Sequence, residues 1–259
     1  MKIENKPQTL LKALKIIEAI AASQPVEVRH LSRLVGIPLP TTYRFVATLE
    51  ENGYVRRGPE DGKCQLGLSF VRFGAISLRS FHLGELVRPI LREIGTQTGE
   101  SVSFQVRKGA EAICLDCVES EHSIRLSQRI GQVTPLYAGS GPKVLLAYTS
   151  DIEGEKIIKS MRLVKIGPKT LSSKAELKRR LIQIVRRGYD FSEEEVTEGA
   201  RGVAVPVFGS SGNVVAALSV SGLKYRMGKA QLINAIKILK GSAERLSSQL
   251  PLALVSVTQ

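Results

Sequence analysis

What this 259-residue sequence lacks narrows its chemistry before any motif is considered. It has three cysteines, Cys64, Cys114 and Cys117, an odd number and too few for the disulfide framework of a secreted protein. No apolar run approaches the ~20 residues that a membrane helix needs. The N-terminal stretch is charged and amphipathic, without the apolar stretch of a signal peptide. These absences predict a soluble cytoplasmic protein that does not engage membranes. There is no GxxxxGK phosphate loop and no GxGxxG turn. His30, His82 and His122 are scattered, and no Ser-His-Asp or Cys-His set stands out. No catalytic residue is assigned, no cofactor is expected, and the chain is not expected to be an enzyme.

Cys114-Leu115-Asp116-Cys117 has the spacing of a metal-ligand pair, with His122 near it. The second pair that a structural zinc site needs is missing. The segment reads as a strand, where positions three apart point to opposite faces, so neither a metal nor a redox pair is expected. Asp190 to Glu198 reads as an acidic loop, with the run Glu193-Glu194-Glu195 solvated.

What is present is basic charge and enough apolar residues, 43%, to build cores. The net charge of +13 is compatible with a polyanionic partner. It does not locate one: residues 1–80 carry 12 Lys and Arg against 7 acids, and residues 81–259 carry 25 against 17. The length suits one large domain or two ordinary ones.

Pattern is more specific. Leu10, Leu14, Ile17 and Ala21 mark one face of a helix over residues 9–23, with Thr9 as its N-cap. A short helix follows from Val28, with Leu31, Leu34 and Val35 on its apolar side. Gly36 supplies a residue free to take positive φ. A second helix starts near Pro38 or Pro40, since proline is tolerated in a first helical turn. Thr42, Phe45, Val46 and Leu49 form its inward stripe. This is helix-turn-helix spacing, and outward side chains on the second helix reach base edges and phosphates. Pro40, Thr41, Thr42, Tyr43, Arg44 and Thr48 are the candidates there. Residues 54–57 and 63–66 read as a hairpin closed by the turn 58–62, a wing whose Arg56, Arg57 and Lys63 are placed to meet phosphate.

Residues 68–82 form a helix that is apolar on more than one face, which predicts a helix sandwiched between domains or subunits. Another helix covers residues 84–96. The period then changes to two: residues 101–107, 112–119 and 123–130 read as strands of an antiparallel meander. After Pro135 a Gly/Ser loop opens a short helix. Two more helices follow, the second capped by Ser172 or Ser173 and stopped by Gly188. A clear hairpin spans residues 202–222, and a last helix, residues 227–250, carries a stripe including Leu232, Leu239 and Leu246. The expected fold class is therefore α+β: residues 1–67 a winged helix-turn-helix, 68–82 a linker helix, and 83–259 an antiparallel sheet flanked by helices.

Three separated stretches carry a resemblance. They are Gly36-Ile37-Pro38 with residues 41–55; residues 138–147 (AGSGPKVLLA); and Gly188-Tyr189 through Glu193-Glu194-Glu195, Gly199-Ala200-Arg201 and Ala204-Val205-Pro206 to Ser221-Gly222. On these the sequence resembles the IclR family of bacterial transcriptional regulators over essentially its whole length. The resemblance implies a GAF-like effector domain, a homodimer or homotetramer, a palindromic operator in double-stranded DNA, and control of catabolic genes by a small carboxylate-bearing metabolite. It places the effector at Ser140, Gly141, Ser192, Ala200, Gly202, Ser219 and Ser221. Where the family often has an acid, a Cys and a Gly, this chain has Ser192, Gly202 and Pro142. Loss of the carboxylate and thiol predicts a roomier, less negative pocket. Beside the resemblance, Ser219 and Ser221 are two apart on one strand and so share a face, and a Ser-Gly helix start can offer N–H groups to an anion. Two rival classes stand against this reading, a non-specific basic nucleic-acid-binding protein and an enzyme acting on the ligand of the second domain.

Overall fold

The fold follows two periodicities, 3.6 in the first 80 residues and 2 in much of the rest. A computed structural model of the chain describes residues 7–59, 61–80 and 83–249. The chain divides into two units, Met1–Ser80 and Phe81–Gln259.

In the first unit, helices α1 (Gln8–Ser23), α2 (Val28–Val35) and α3 (Leu39–Glu51) precede a two-stranded wing, β1 (Val55–Arg57) and β2 (Cys64–Leu66). Val26 adds a single antiparallel bridge to Cys64. α1 corrects two expectations. Its N-cap position is Pro7, and Thr9 lies inside the first turn. Its buried residues are Ile16 and Ile20, while Leu10 and Leu14 are exposed. The apolar stripe is wider than the contact, and only its later turns meet Leu31, Val46 and Val55 in the core. Gly36 takes φ 67°, the left-handed geometry that ends α2 and turns the chain toward α3. α4 (Leu68–Ser80) closes the unit, its Phe70 and Phe73 rings lying 5.7 and 6.1 Å from Tyr54. Leu68 and Val71 on α4 are exposed. Residues 81 and 82 of the expected linker, and Leu250 of the last helical stripe, lie outside the described residues.

The second unit begins with a π-turn (Leu83–Val87) leading into α5 (Arg88–Thr98). Six strands form one antiparallel sheet in the order β5-β4-β3-β8-β7-β6. They are β3 (Ser101–Lys108), β4 (Glu111–Val118), β5 (Val133–Pro135), β6 (Asp190–Glu193), β7 (Ala200–Phe208) and β8 (Val214–Leu223). Helices α6 (Ser140–Ala147), α7 (Asp151–Ser160), α8 (Lys174–Arg187) and α9 (Lys229–Gln249) complete the unit. Ala204 and Ala217 lie under α6, in the cluster that α7 and α8 also enter. Val203, Val205 and Val207 alternate with Ala204 and project from the opposite face. Ser173 accepts from the Glu176 N–H at 3.1 Å and so caps α8.

Two sequence expectations fail here. Residues 123–130 are not a strand: they run as an irregular segment before β5. Their backbone bonds go elsewhere, Leu126 O accepting from Ser101 Oγ at 2.7 Å and Gln128 O from Cys117 Sγ at 3.1 Å. Nor are residues 190–198 simply an acidic loop. Asp190–Glu193 forms the edge strand β6, with Ser192 opposite Gly202.

Candidate functional site

Two regions gather the candidate residues. In the first unit, α2 and α3 are fixed by hydroxyls at their turn. Ser32 Oγ donates to Ile37 O at 2.6 Å, and Thr42 Oγ1 lies 3.2 Å from Ile37 O and 3.1 Å from Pro38 O. Thr42 is fully buried. Its position therefore corrects its inclusion among outward-facing candidates: the side chain that points inward cannot reach a base. Tyr43, Arg44 and Thr48 are exposed, Thr41 is half-buried, and Pro40 is exposed in the first turn. Thr48 Oγ1 donates back to Arg44 O at 3.0 Å.

On the wing, the three cations are not equivalent. Arg57 Nε lies 2.9 Å from Glu50 Oε2 on α3, and that hydrogen bond raises its pKa further. Lys63 Nζ lies 3.1 Å from Asp61 Oδ2, a carboxyl held below its usual range by the Lys63 backbone and side chain. Arg56 is exposed, with no ion-pair partner among the described residues.

In the second unit, all seven candidate effector residues line one cavity of about 340 Å³. Strand pairing assembles its floor: Ser192 opposes Gly202, Gly202 opposes Ser221, and Ser219 opposes Ser103. A Cβ at Gly202 would stand 3.2 Å from Ser140 Oγ and 3.5 Å from Ser192 Oγ, so these hydroxyls converge over the glycine. Ser103 Oγ and Ser219 Oγ are 2.7 Å apart. α6 points its first turn into the cavity. The N–H groups of Ser140 and Gly141 have no acceptor among the described residues. Pro142 removes the third first-turn donor.

Sequence reading missed a buried ionic cluster behind this turn. Lys143 is fully buried on α6, and its ammonium bonds the Glu195 carboxylate and lies 3.1 Å from Asp190 Oδ2. Glu195 Oε2 also accepts from the Gly139 N–H at 2.9 Å. Asp190 Oδ1 is 2.9 Å from Arg180 Nε. Burial pushes the Glu195 carboxyl up from its ordinary range, against the pull of Lys143. Glu193 and Glu194 are paired with Lys169, Arg201 and Lys224. The acid run is thus ion-paired throughout, and only the lysine inside an apolar helix could have signalled it. Gln105 and Gln128 in the cavity wall were also missed. Gln128 sits in the segment misread as a strand.

The face argument for the cysteines fails as well. Phe104 opposes Asp116 but Gln105 opposes Cys114, so Leu115 is an extra residue in β4. The bulge puts Cys114, opposite Gln105, and Cys117, opposite Ser103, on the same face. Burial raises both thiols and disfavours their thiolates. Among the described residues no group of three or more His, Cys, Asp or Glu is placed to hold a metal, and no helix is long and apolar enough to cross a membrane.

Comparison with known proteins matches both units. Residues 9–59 match the IclR helix-turn-helix domain, and residues 75–248 match the bacterial transcriptional regulator IclR C-terminal domain. The transcriptional repressor IclR of Escherichia coli (strain K12) is 34% identical over 218 residues, 83% of this chain and 80% of that protein. The crystal structure of the Thermotoga maritima IclR aligns with a TM-score of 0.70 at 30% identity, covering 94% of this chain and 98% of that one. An IclR homolog from Microbacterium hydrocarbonoxydans, crystallised with 4-hydroxybenzoate, aligns with a TM-score of 0.77 at 23% identity over 96% of this chain and 99% of its own. That last likeness is one of fold. The winged α2–α3 pair is therefore a DNA-binding domain, and this chain belongs to the IclR family of bacterial transcriptional regulators.

Proposed function

We propose that the chain binds a palindromic operator as a homodimer or higher homo-oligomer and is controlled by a small carboxylate held at the start of α6. Thr41, Tyr43, Arg44 and Thr48 read the major groove from α3, with Pro40 at its entry. Arg56, and less fully the paired Arg57 and Lys63, meet phosphate. Thr42 holds the turn instead. The exposed Leu68 and Val71 of α4 are where a second subunit gains most by covering apolar surface. The regulated genes encode catabolic enzymes, the protein works in the cytoplasm with its DNA, and the ligand is bound without being turned over.

The observation that carries the effector assignment is the pair of free N–H groups at Ser140 and Gly141, opening into the cavity where Ser192, Gly202, Ser219 and Ser221 meet. Ala200 lines its rim. The carboxylate bound by the Microbacterium hydrocarbonoxydans homolog is in keeping with this reading. Coupling between ligand and operator of this kind is typically ~1–3 kcal/mol.

The test is genome-wide binding of the purified protein to fragmented host DNA at near-physiological salt, with Arg44→Ala beside the wild type. The expected result is a palindromic site upstream of a catabolic operon, lost or weakened about 10- to 100-fold in Arg44→Ala. Diffuse, salt-sensitive binding that Arg44→Ala leaves unchanged would defeat the operator reading.

A further inference from the structure

The cavity's wall is neutral in a specific way. Its charged groups are already matched within the protein. Arg201 Nε lies 2.7 Å from Glu193, Arg125 Nε lies 3.0 Å from Glu119, Glu195 bonds Lys143, and Glu194 lies 2.9 Å from Lys169. What remains to meet a ligand is hydroxyl and amide. Apolar surface accompanies them, from Leu126, Pro142 and Val196 with two alanines, and no aromatic ring lines the cavity among the described residues.

Two amides are incompletely satisfied. Gln105 is 8% exposed; its Nε2 donates to Ser103 Oγ at 3.2 Å, and its Oε1 has no partner. That amide oxygen lies directly over Gly141, where a Cβ would meet it at 2.2 Å. Gln128 repeats the arrangement on the other side, its Nε2 donating to Ser221 Oγ at 3.1 Å while its buried Oε1 stands unpaired. Buried polar groups without partners are costly; both glutamines line the cavity, so a ligand hydroxyl toward which these covered oxygens turn gains affinity. Beyond its carboxylate an alkyl acid offers nothing to an amide, and 4-hydroxybenzoate brings one hydroxyl at the far end of a rigid ring. A hydroxyl both donates and accepts, and so meets either end of it. The converging Ser140 and Ser192 hydroxyls, and Ser219 and Ser221 beyond them, ask for the same kind of partner. At about 340 Å³ the cavity lies at the small end of the ~300–1,000 Å³ typical of ligand sites.

Resting on the carboxylate pocket argued above, we propose that the effector is a short aliphatic acid hydroxylated along its chain, of the sugar-acid type. Its carboxylate sits on the Ser140 and Gly141 N–H groups. Its hydroxyls bridge Gln105 and Gln128 and the serines of β6 and β8. Gly202 leaves room for them where a side chain would press on Ser140.

Isothermal titration calorimetry of the full-length protein tests this with six compounds: gluconate, galacturonate and glycerate; hexanoate and 4-hydroxybenzoate; and sorbitol. At least one of the three hydroxylated acids should bind at least tenfold more tightly than hexanoate or 4-hydroxybenzoate. Gln128→Leu should weaken that acid about fivefold to tenfold and leave hexanoate no weaker. Equal or tighter binding of hexanoate or 4-hydroxybenzoate overturns the proposal, as does binding of none of the six or an equal loss for both acids in Gln128→Leu. Sorbitol binding as tightly as the best acid would support the hydroxyl chemistry while removing the carboxylate assignment.

Discussion

The two candidate regions handle polar groups in opposite ways. The helix-turn-helix unit buries few of them and presents Tyr43, Arg44 and Arg56 to solvent, where their partner must come from outside. The pocket unit folds its polar groups inward and pairs most of them. Lys143 and Asp190 are buried behind the cavity with Glu195 in its wall, while Ser192 and Ser219 line it and Ser103 is buried against Ser219. DNA is a large external polyanion, and exposed cations suffice to meet it. A small ligand has few atoms, so its site must be rigid before it arrives. In this chain the rigidity comes from charges already paired within the protein.

The largest effect that would sharpen this contrast lies in that cluster. Lys143→Met keeps length and apolar bulk but leaves Asp190 and Glu195 facing each other without the ammonium that joins them. Breaking a buried ion pair by removing one partner typically costs ~3–5 kcal/mol. Urea unfolding of the full chain should show a loss of that size. Arg180, 2.9 Å from Asp190, remains and moderates it. A loss below about 1 kcal/mol, the range of exposed pairs, would mean that the cluster does not hold the α6 turn, and the contrast between the two regions would collapse.

The same contrast explains what was legible in the sequence. Helix α3, the Gly36 turn and the β7–β8 hairpin are written in residues a few positions apart, and their periodicity or turn chemistry is local. The pocket is different. Ser140, Ser192 and Gly202 meet only because β6 pairs with β7 and α6 crosses above them; without the family resemblance, separate serines on a strand and at a helix start would not have been grouped. The ionic cluster joins Lys143 to Glu195, 52 positions later, and no local pattern distinguishes that glutamate from Glu193 and Glu194 beside it. The misread segment 123–130 alternates like a strand, yet its carbonyls at Leu126 and Gln128 bond Ser101 and Cys117 side chains instead of a ladder. Leu115 carries the same lesson: one extra residue in β4 reverses which face Cys114 shares, and a bulge leaves no mark in composition.

Thr42 offers a smaller and more selective test, because it sits in the region built to face outward. Thr42→Val keeps the shape and removes a hydroxyl whose acceptors retain other donors, Ser32 Oγ for Ile37 O and the Thr42 N–H for Pro38 O. The expected loss is about 1 kcal/mol of stability, the net worth of a typical hydrogen bond. Affinity of the folded variant for a DNA site selected in vitro by the wild type should be unchanged. A loss of affinity comparable to that of Arg44→Ala, with stability intact, would return Thr42 to the contact surface.

The smallest effect concerns the rim of the pocket, where the two strategies meet. Glu193 is paired at the surface with Lys169 first and Arg201 next, and these hold its carboxyl at about 2, below the ordinary 4.5. A depressed folded pKa means that the unfolded chain takes up the proton first as pH falls. The stabilisation is therefore complete above 4.5 and is lost progressively between 4.5 and about 2. Glu193→Gln lacks this dependence. The difference in Tm between wild type and variant should favour the wild type at pH 6 and shrink toward zero as pH falls through that window. A difference that stays constant down to pH 2 would place the stabilisation in packing around the side chain and not in its charge. The rim would then belong with the preformed interior, leaving the helix-turn-helix unit as the part of the molecule whose surface charge carries its work.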